Sequence, residues 1–234
     1  QGSPCLPTLP AAREAMVEMA RSGSLPYSEV AGGRQVRATA ARFMEAHFGL
    51  RVGPEHVLVT PGATGGTFVA LALAVDGPRD VVLTTSPAYG LYAAQVSLLG
   101  GRVEAVQVEE EGDGRGLERA LRAALQRQRP GRVRAVLLCS PDNPTGRTLS
   151  ASQAGAVARL LHERLRMGDD FVVVLDEVYF GIERGGHVSV VQPAAPALRE
   201  RTCVVMSASK GLGAMPGARA GWVTCTNAEL VATM

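Results

Sequence analysis

Lys210 is the only lysine in the chain; every other one of its 24 Lys and Arg residues is arginine. A lysine amine can lose its proton and attack a carbonyl, whereas a guanidinium stays charged at any working pH. Lys210 is therefore a candidate Schiff-base nucleophile. The plainer alternative is a residue left over in an arginine-biased composition. Its surroundings weigh against that alternative. The apolar run Val204-Val205-Met206 predicts a buried strand ahead of it, and glycine, proline and small residues around it leave room to approach the backbone. Other residues could do chemistry too. Asp176 closes the apolar run FVVVL, where an unpaired carboxylate would be costly, so a positive partner is predicted; the alternative is a helix N-cap. Gly62-Ala63-Thr64 opens a helix after a strand, which turns backbone N–H groups and a hydroxyl toward an anion. Arg219, nine residues after Lys210, carries a planar fork suited to a phosphate. Asn143 is held between Pro141 and Pro144, as a rigid donor or in an ordinary turn.

The elements that must position these residues follow from the apolar pattern. Strands are predicted at 56–60, 80–85, 102–108, 133–139, 171–176, 203–207 and 220–225. Helices are predicted at 11–23, 63–74, 89–99, 116–128, 150–167 and, briefly, 194–200. The strands are rich in valine and leucine with little alternation, the pattern of strands covered on both faces. The fold class is therefore α/β: a three-layer α/β/α arrangement around a mostly parallel, roughly seven-stranded sheet. The last strand follows 203–207 too closely for a helical crossover and should run antiparallel to it. Four suggestive segments, PGATGG, SPDNPTG, DEVY and SASK, each follow a strand directly. Ligands in open parallel sheets bind outside the carboxyl ends of strands, so the four should converge. The stretch 109–116, EEEGDGRG, reads as a solvated acidic loop.

Ser207-Ala208-Ser209-Lys210, followed by the P-G-x-R-x-G-W run at 216–222, resembles the lysine segment of pyridoxal-phosphate (PLP) aminotransferases of fold type I, class I/II. Further motifs of that family occur in order over roughly residues 2–226. The resemblance implies PLP as cofactor and Lys210 as the lysine of the internal aldimine and the proton carrier. It implies Gly62, Ala63, Thr64, Ser207 and Arg219 at the phosphate. Tyr89 would lie against the pyridine face, or simply pack at a helix start. Asn143 and Tyr179 would share the phenolic oxygen, and Asp176 would pair with the pyridine nitrogen. Lys210, Asp176 and Tyr179 are thus the implied catalytic residues. Tyr27, Gly32 and Arg37 match Y-x4-G-x4-R. In the family that tyrosine completes the partner's phosphate site, which implies a homodimer with shared active sites; alone, Tyr27 would read as packed in a turn. Segment 2–10 resembles the family's proline-punctuated lead-in. By the same likeness, residues 27–234 are the large PLP-binding domain and 1–26 a lead-in segment and helix. The family's smaller C-terminal domain, with its substrate-carboxylate arginine, would lie beyond residue 234.

The implied reaction moves an amino group between an amino acid and a 2-oxo acid. A β-lyase, cyclising synthase or decarboxylase would use the same scaffold, and an effector domain of a transcription regulator is a third reading. Composition narrows the field. Hydrophobic residues make 46% and charged residues 20%, with a net charge of +2, so ordinary core formation is expected and nucleic acid binding is not implied. No apolar run reaches the roughly 18 residues of a membrane helix. Cys5, Cys139, Cys203 and Cys225 form no C-x-x-C pair, so free thiols, no metal site and a cytoplasmic setting are expected.

Overall fold

The computed structural model describes residues 2–24, 26–109 and 114–234. The middle of the predicted acidic loop, residues 110–113, lies outside the described residues. Seven strands form one sheet: β1 (Val57–Pro61), β2 (Val81–Ser86), β3 (Arg102–Gln107), β4 (Val133–Cys139), β5 (Val172–Asp176), β6 (Thr202–Ser207) and β7 (Ala220–Thr224). The helices are α1 (Pro10–Arg21), α2 (Arg34–Phe48), α3 (Gly62–Ala72), α4 (Leu91–Leu98), α5 (Gly116–Arg127), α6 (Ala151–Arg166), α7 (Pro196–Arg199) and α8 (Ala228–Thr233). The strand order is β1-β7-β6-β5-β4-β2-β3. Strands β2 to β6 pair in parallel, and β7 runs antiparallel to both β6 and β1. The mixed, predominantly parallel sheet agrees with the expected α/β class, and the last strand has the expected sense.

Alternate residues of each strand feed two cores, as the two-residue period of a strand requires. On one face Val173, Leu175 and Met206 meet Phe48 of α2, Leu121 of α5 and Leu161 of α6. On the other, Val172, Val174 and Val205 meet Leu71 of α3, Val96 of α4 and Val231 of α8. Strand β5 is buried along its whole length. Burying each such aliphatic side chain stabilises the fold by roughly 1.5–3 kcal/mol. Helix α6 starts from a reciprocal cap: Ser150 accepts from the Gln153 amide, and the Gln153 side chain accepts from the Ser150 amide.

Helix α2 and helix α8 are additions to the sequence-based elements. The α2 stretch ends at Gly49, whose φ of 66° closes the helix in the left-handed region. Helix α1 buries none of its residues. No described helix is long and apolar enough to cross a membrane. Cys203 and Cys225 are buried free thiols, as expected, whereas Cys5 is exposed.

Candidate active site

The strand senses decide what meets what. Strands β2, β4, β5 and β6 are parallel, so Ser86, Cys139, Asp176 and Ser207 all end at one edge of the sheet. The double antiparallel step through β7 brings the end of β1 and the start of β7 to the same edge, with Pro61 opposite Ala220. The turns carrying Tyr89, Asn143, Tyr179, Lys210, Gly62–Thr64 and Arg219 therefore share this edge. The convergence predicted for the four segments is present, and β7 adds a fifth.

Around Gly62 the backbone forms a cradle. Gly62 has a φ of 75°, open to glycine at little cost. A Cβ built there would lie 2.7 Å from Arg219 Nη2, so any side chain would displace the guanidinium. Gly221 is equally constrained, because its Cβ would stand 2.6 Å from the Gly62 carbonyl carbon. Arg219 donates to the carbonyls of Pro61 and Pro216, at 3.0 and 3.3 Å. No carboxylate pairs with it among the described residues. A guanidinium over the first turn of α3 is a site for an anion. Ser207 lies deeper: it is fully buried, donates to the Ala220 carbonyl at 2.9 Å and sits 2.8 Å from Ser209 Oγ.

Asp176 is the buried acid of the site, only 5% exposed. Tyr92 donates to its Oδ2 at 2.7 Å, and the Val178 amide donates to its Oδ1 at 3.2 Å. Burial pushes the carboxyl up to about 6 in spite of these two donors, with Glu177 adding to the rise. No cation faces it among the described residues. Burial and the Asp176 carboxylate push the Tyr92 phenol well above its usual range, which keeps it a donor. Cys139 lies in register with Asp176 on β4, and burial raises its thiol as well.

Asn143 Nδ2 donates to Tyr179 Oη at 3.0 Å, so the two residues expected to share an oxygen already touch. Burial raises the Tyr179 phenol. Lys210 Nζ stands 5.8 Å from the centre of the Tyr179 ring and donates to the carbonyl of Gly2, which lays the N-terminal segment over the lysine. Thr8 Oγ1 donates to the Ala214 carbonyl at 3.2 Å and pins the same segment. Tyr89 is partly exposed and packs edge-on against Tyr92, with ring centres 5.5 Å apart.

Tyr27 is not part of this cluster. It is fully exposed. The glycine and arginine that share its motif build the neighbouring turn instead. Arg37 bonds to the Gly32 carbonyl at 2.7 Å and the Pro54 carbonyl at 3.0 Å, and pairs with Glu29. Two buried residues of α4, Tyr92 and Gln95, were not legible as site residues. The signal available was their spacing on one helix face, three residues apart.

Comparison with known proteins accords with this edge. The family model for aminotransferase class I and II matches residues 1–234. The chain is 32% identical to a probable N-succinyldiaminopimelate aminotransferase of Mycobacterium tuberculosis, over 99% of this chain and 56% of that protein. It is also 32% identical to an aspartate/prephenate aminotransferase of Thermus thermophilus, over 100% of this chain and 57% of the relative. Among solved structures, aspartate aminotransferase from Thermus thermophilus with maleate superposes with a TM-score of 0.83 at 29% identity, covering 100% of this chain and 57% of the other. The chain thus spans little more than half the length of these relatives. It belongs to the aminotransferase class I and II family, whose members depend on PLP.

Proposed function

We propose that this chain is the large cofactor domain of an aminotransferase that moves an amino group between an amino acid and a 2-oxo acid. The single observation that carries the reading is the buried Asp176 carboxylate, without a cationic partner among the described residues, at the edge that also holds Lys210. A protonated pyridine nitrogen would supply the missing charge, and Arg219 over Gly62 supplies a seat for a phosphate. The residues present therefore fit PLP. When bound, PLP acts as the electron sink for a carbanion at the substrate's α-carbon.

The chain's own groups have these roles. Asp176, oriented by Tyr92 and the Val178 amide, holds a proton at the ring nitrogen. Gly62, Ala63, Thr64 and Arg219 bind the phosphate, with Ser207 supporting the turn from below. Tyr89 would cover one face of the ring. Asn143 and Tyr179, already in contact with each other, would donate to the phenolic oxygen. Lys210 anchors the cofactor through its amine and then moves a proton to and from the substrate's α-carbon. The Gly2 segment above Lys210 would exclude water from that transfer. Residues 27–234 form the cofactor domain, with 1–26 as its lead-in. The functional unit is a homodimer in which Tyr27 serves the partner's phosphate. The fully exposed Tyr27 and Val30, and the helix α1 without a buried residue, support a covering partner. A reducing cytoplasmic setting agrees with buried free Cys203 and Cys225.

Purified full-length protein should show a visible-edge absorbance band that Lys210→Ala loses together with product formation. Wild-type turnover in Lys210→Ala would sink the assignment. Conversion of the bound cofactor to its amine form by an amino acid distinguishes transfer from elimination.

A further inference from the structure

Helix α4 reaches both ends of the site. Tyr92 and Gln95 are three residues apart, on one face, and both are buried. Tyr92 donates to Asp176 Oδ2 at 2.7 Å. Gln95 Nε2 donates to the Thr64 carbonyl at 2.8 Å, in the first turn of α3. Its Oε1 accepts from Thr67 Oγ1 at 3.0 Å. The Thr64 carbonyl can only accept, so the amide's orientation is fixed: nitrogen toward Thr64, oxygen toward Thr67. Thr67 Oγ1 also lies 3.1 Å from the same carbonyl, which closes a three-membered polar ring inside an otherwise apolar layer. Nothing about packing α4 against the sheet requires a glutamine here. An apolar side chain of that size would fill the same volume without a buried amide to satisfy.

We propose that Tyr92 and Gln95 are positioning residues: α4 is a strut whose two side chains set the anion cradle of α3 against the carboxylate of β5. The pair deepens the cofactor-site reading above and rests on it. Gln95 holds the Thr64–Gly65 peptide plane, and through it the first turn of α3 on which the anion would sit. Tyr92 fixes the carboxylate rotamer and favours its charged form. The titratable groups facing Asp176 are Tyr92 from α4, Cys139 from β4, and Glu177 and Tyr179 from its own turn, while β6 presents Val205. Tyr92 is the one that donates to it.

The test uses full-length apoprotein, with the Kd for PLP measured on both sides of about pH 6. Inorganic phosphate serves as competitor, and the apo unfolding midpoint as fold control. Gln95→Met should weaken PLP and phosphate together by about tenfold at every pH, one net buried hydrogen bond being worth about that factor. Tyr92→Phe should leave phosphate competition alone. It should move upward the pH at which PLP affinity falls on acidification, because the lost donor favoured the ionised acid. If Gln95→Met does not fold, Gln95→Leu, which likewise removes both amide bonds without adding charge, carries the same expectation. Parent-like phosphate and PLP affinity in the Gln95 variant overturns the strut, as does a Tyr92→Phe loss that is uniform in pH. A parent that does not bind PLP overturns the underlying reading instead.

Discussion

Asp176 shows how a site residue strains the fold that holds it. Its folded-state pKa, about 6, stands above the ordinary 3.8. A carboxyl raised in this way binds its proton more tightly in the folded state. Its effect on the apoprotein is therefore neutral well below 3.8 and becomes destabilising as pH rises from there to about 6. The difference corresponds to roughly 3 kcal/mol. Asp176→Asn keeps an acceptor for Tyr92 and removes the charge. The variant should unfold at a higher temperature than the parent as apoprotein above pH 6, by an amount on the order of those few kcal/mol, and converge on it as pH falls well below 3.8. It should also lose cofactor, since the neutral amide cannot hold the ring proton. Equal apoprotein midpoints above pH 6 would show that the buried charge is not the cost described. The comparison is a thermal melt at two pH values, followed by PLP titration.

At the scale of elements, the motif in the turn before α2 has a mechanical basis. Gly32 has a φ of 93°, and a Cβ there would stand 2.3 Å from Val59 Cγ2 on β1. Arg37 grips the carbonyl of the same residue. Gly32→Ala should therefore cost roughly 2–4 kcal/mol, from the left-handed backbone and the clash together. A parent-like urea midpoint would refute that. The spacing of Tyr27, Gly32 and Arg37 is thus explained in two parts by turn construction and in one part by the proposed reach to a partner. The elements themselves were largely legible. Strands such as 133–139 are continuous apolar runs ended by turn residues, and each strand end could be read together with the polar group that follows it. Lys210, Asp176, Asn143, Tyr179 and Arg219 announced themselves in that way. Tyr92 and Gln95 did not, because their partners are 84 and 31 residues away in sequence and ordinary helix periodicity accounts for both positions. Helix α2 was hidden by arginines and alanines whose apolar stripe is short.

For the whole molecule, the exposed Tyr27 makes assembly testable. A phenol donating to a phosphate is worth roughly 1.5–3 kcal/mol. Tyr27→Phe should then hold PLP about ten- to a hundredfold less tightly while the apoprotein melts as the parent does. Cofactor loss on dilution, followed beside sedimentation, reads both quantities; an active monomer would remove the shared site. The strand order has another consequence. Among the described strands β1 joins the sheet only through β7, and the bond from Arg219 to Pro61 spans 158 residues. During synthesis, β1 must therefore wait, its ladder groups unpaired, until residues 220–224 have left the ribosome. Long-range closure of this kind is slow and leaves edges open to other chains. The nascent protein gains its anion seat in one event, when the first and last strands of this sheet zip together.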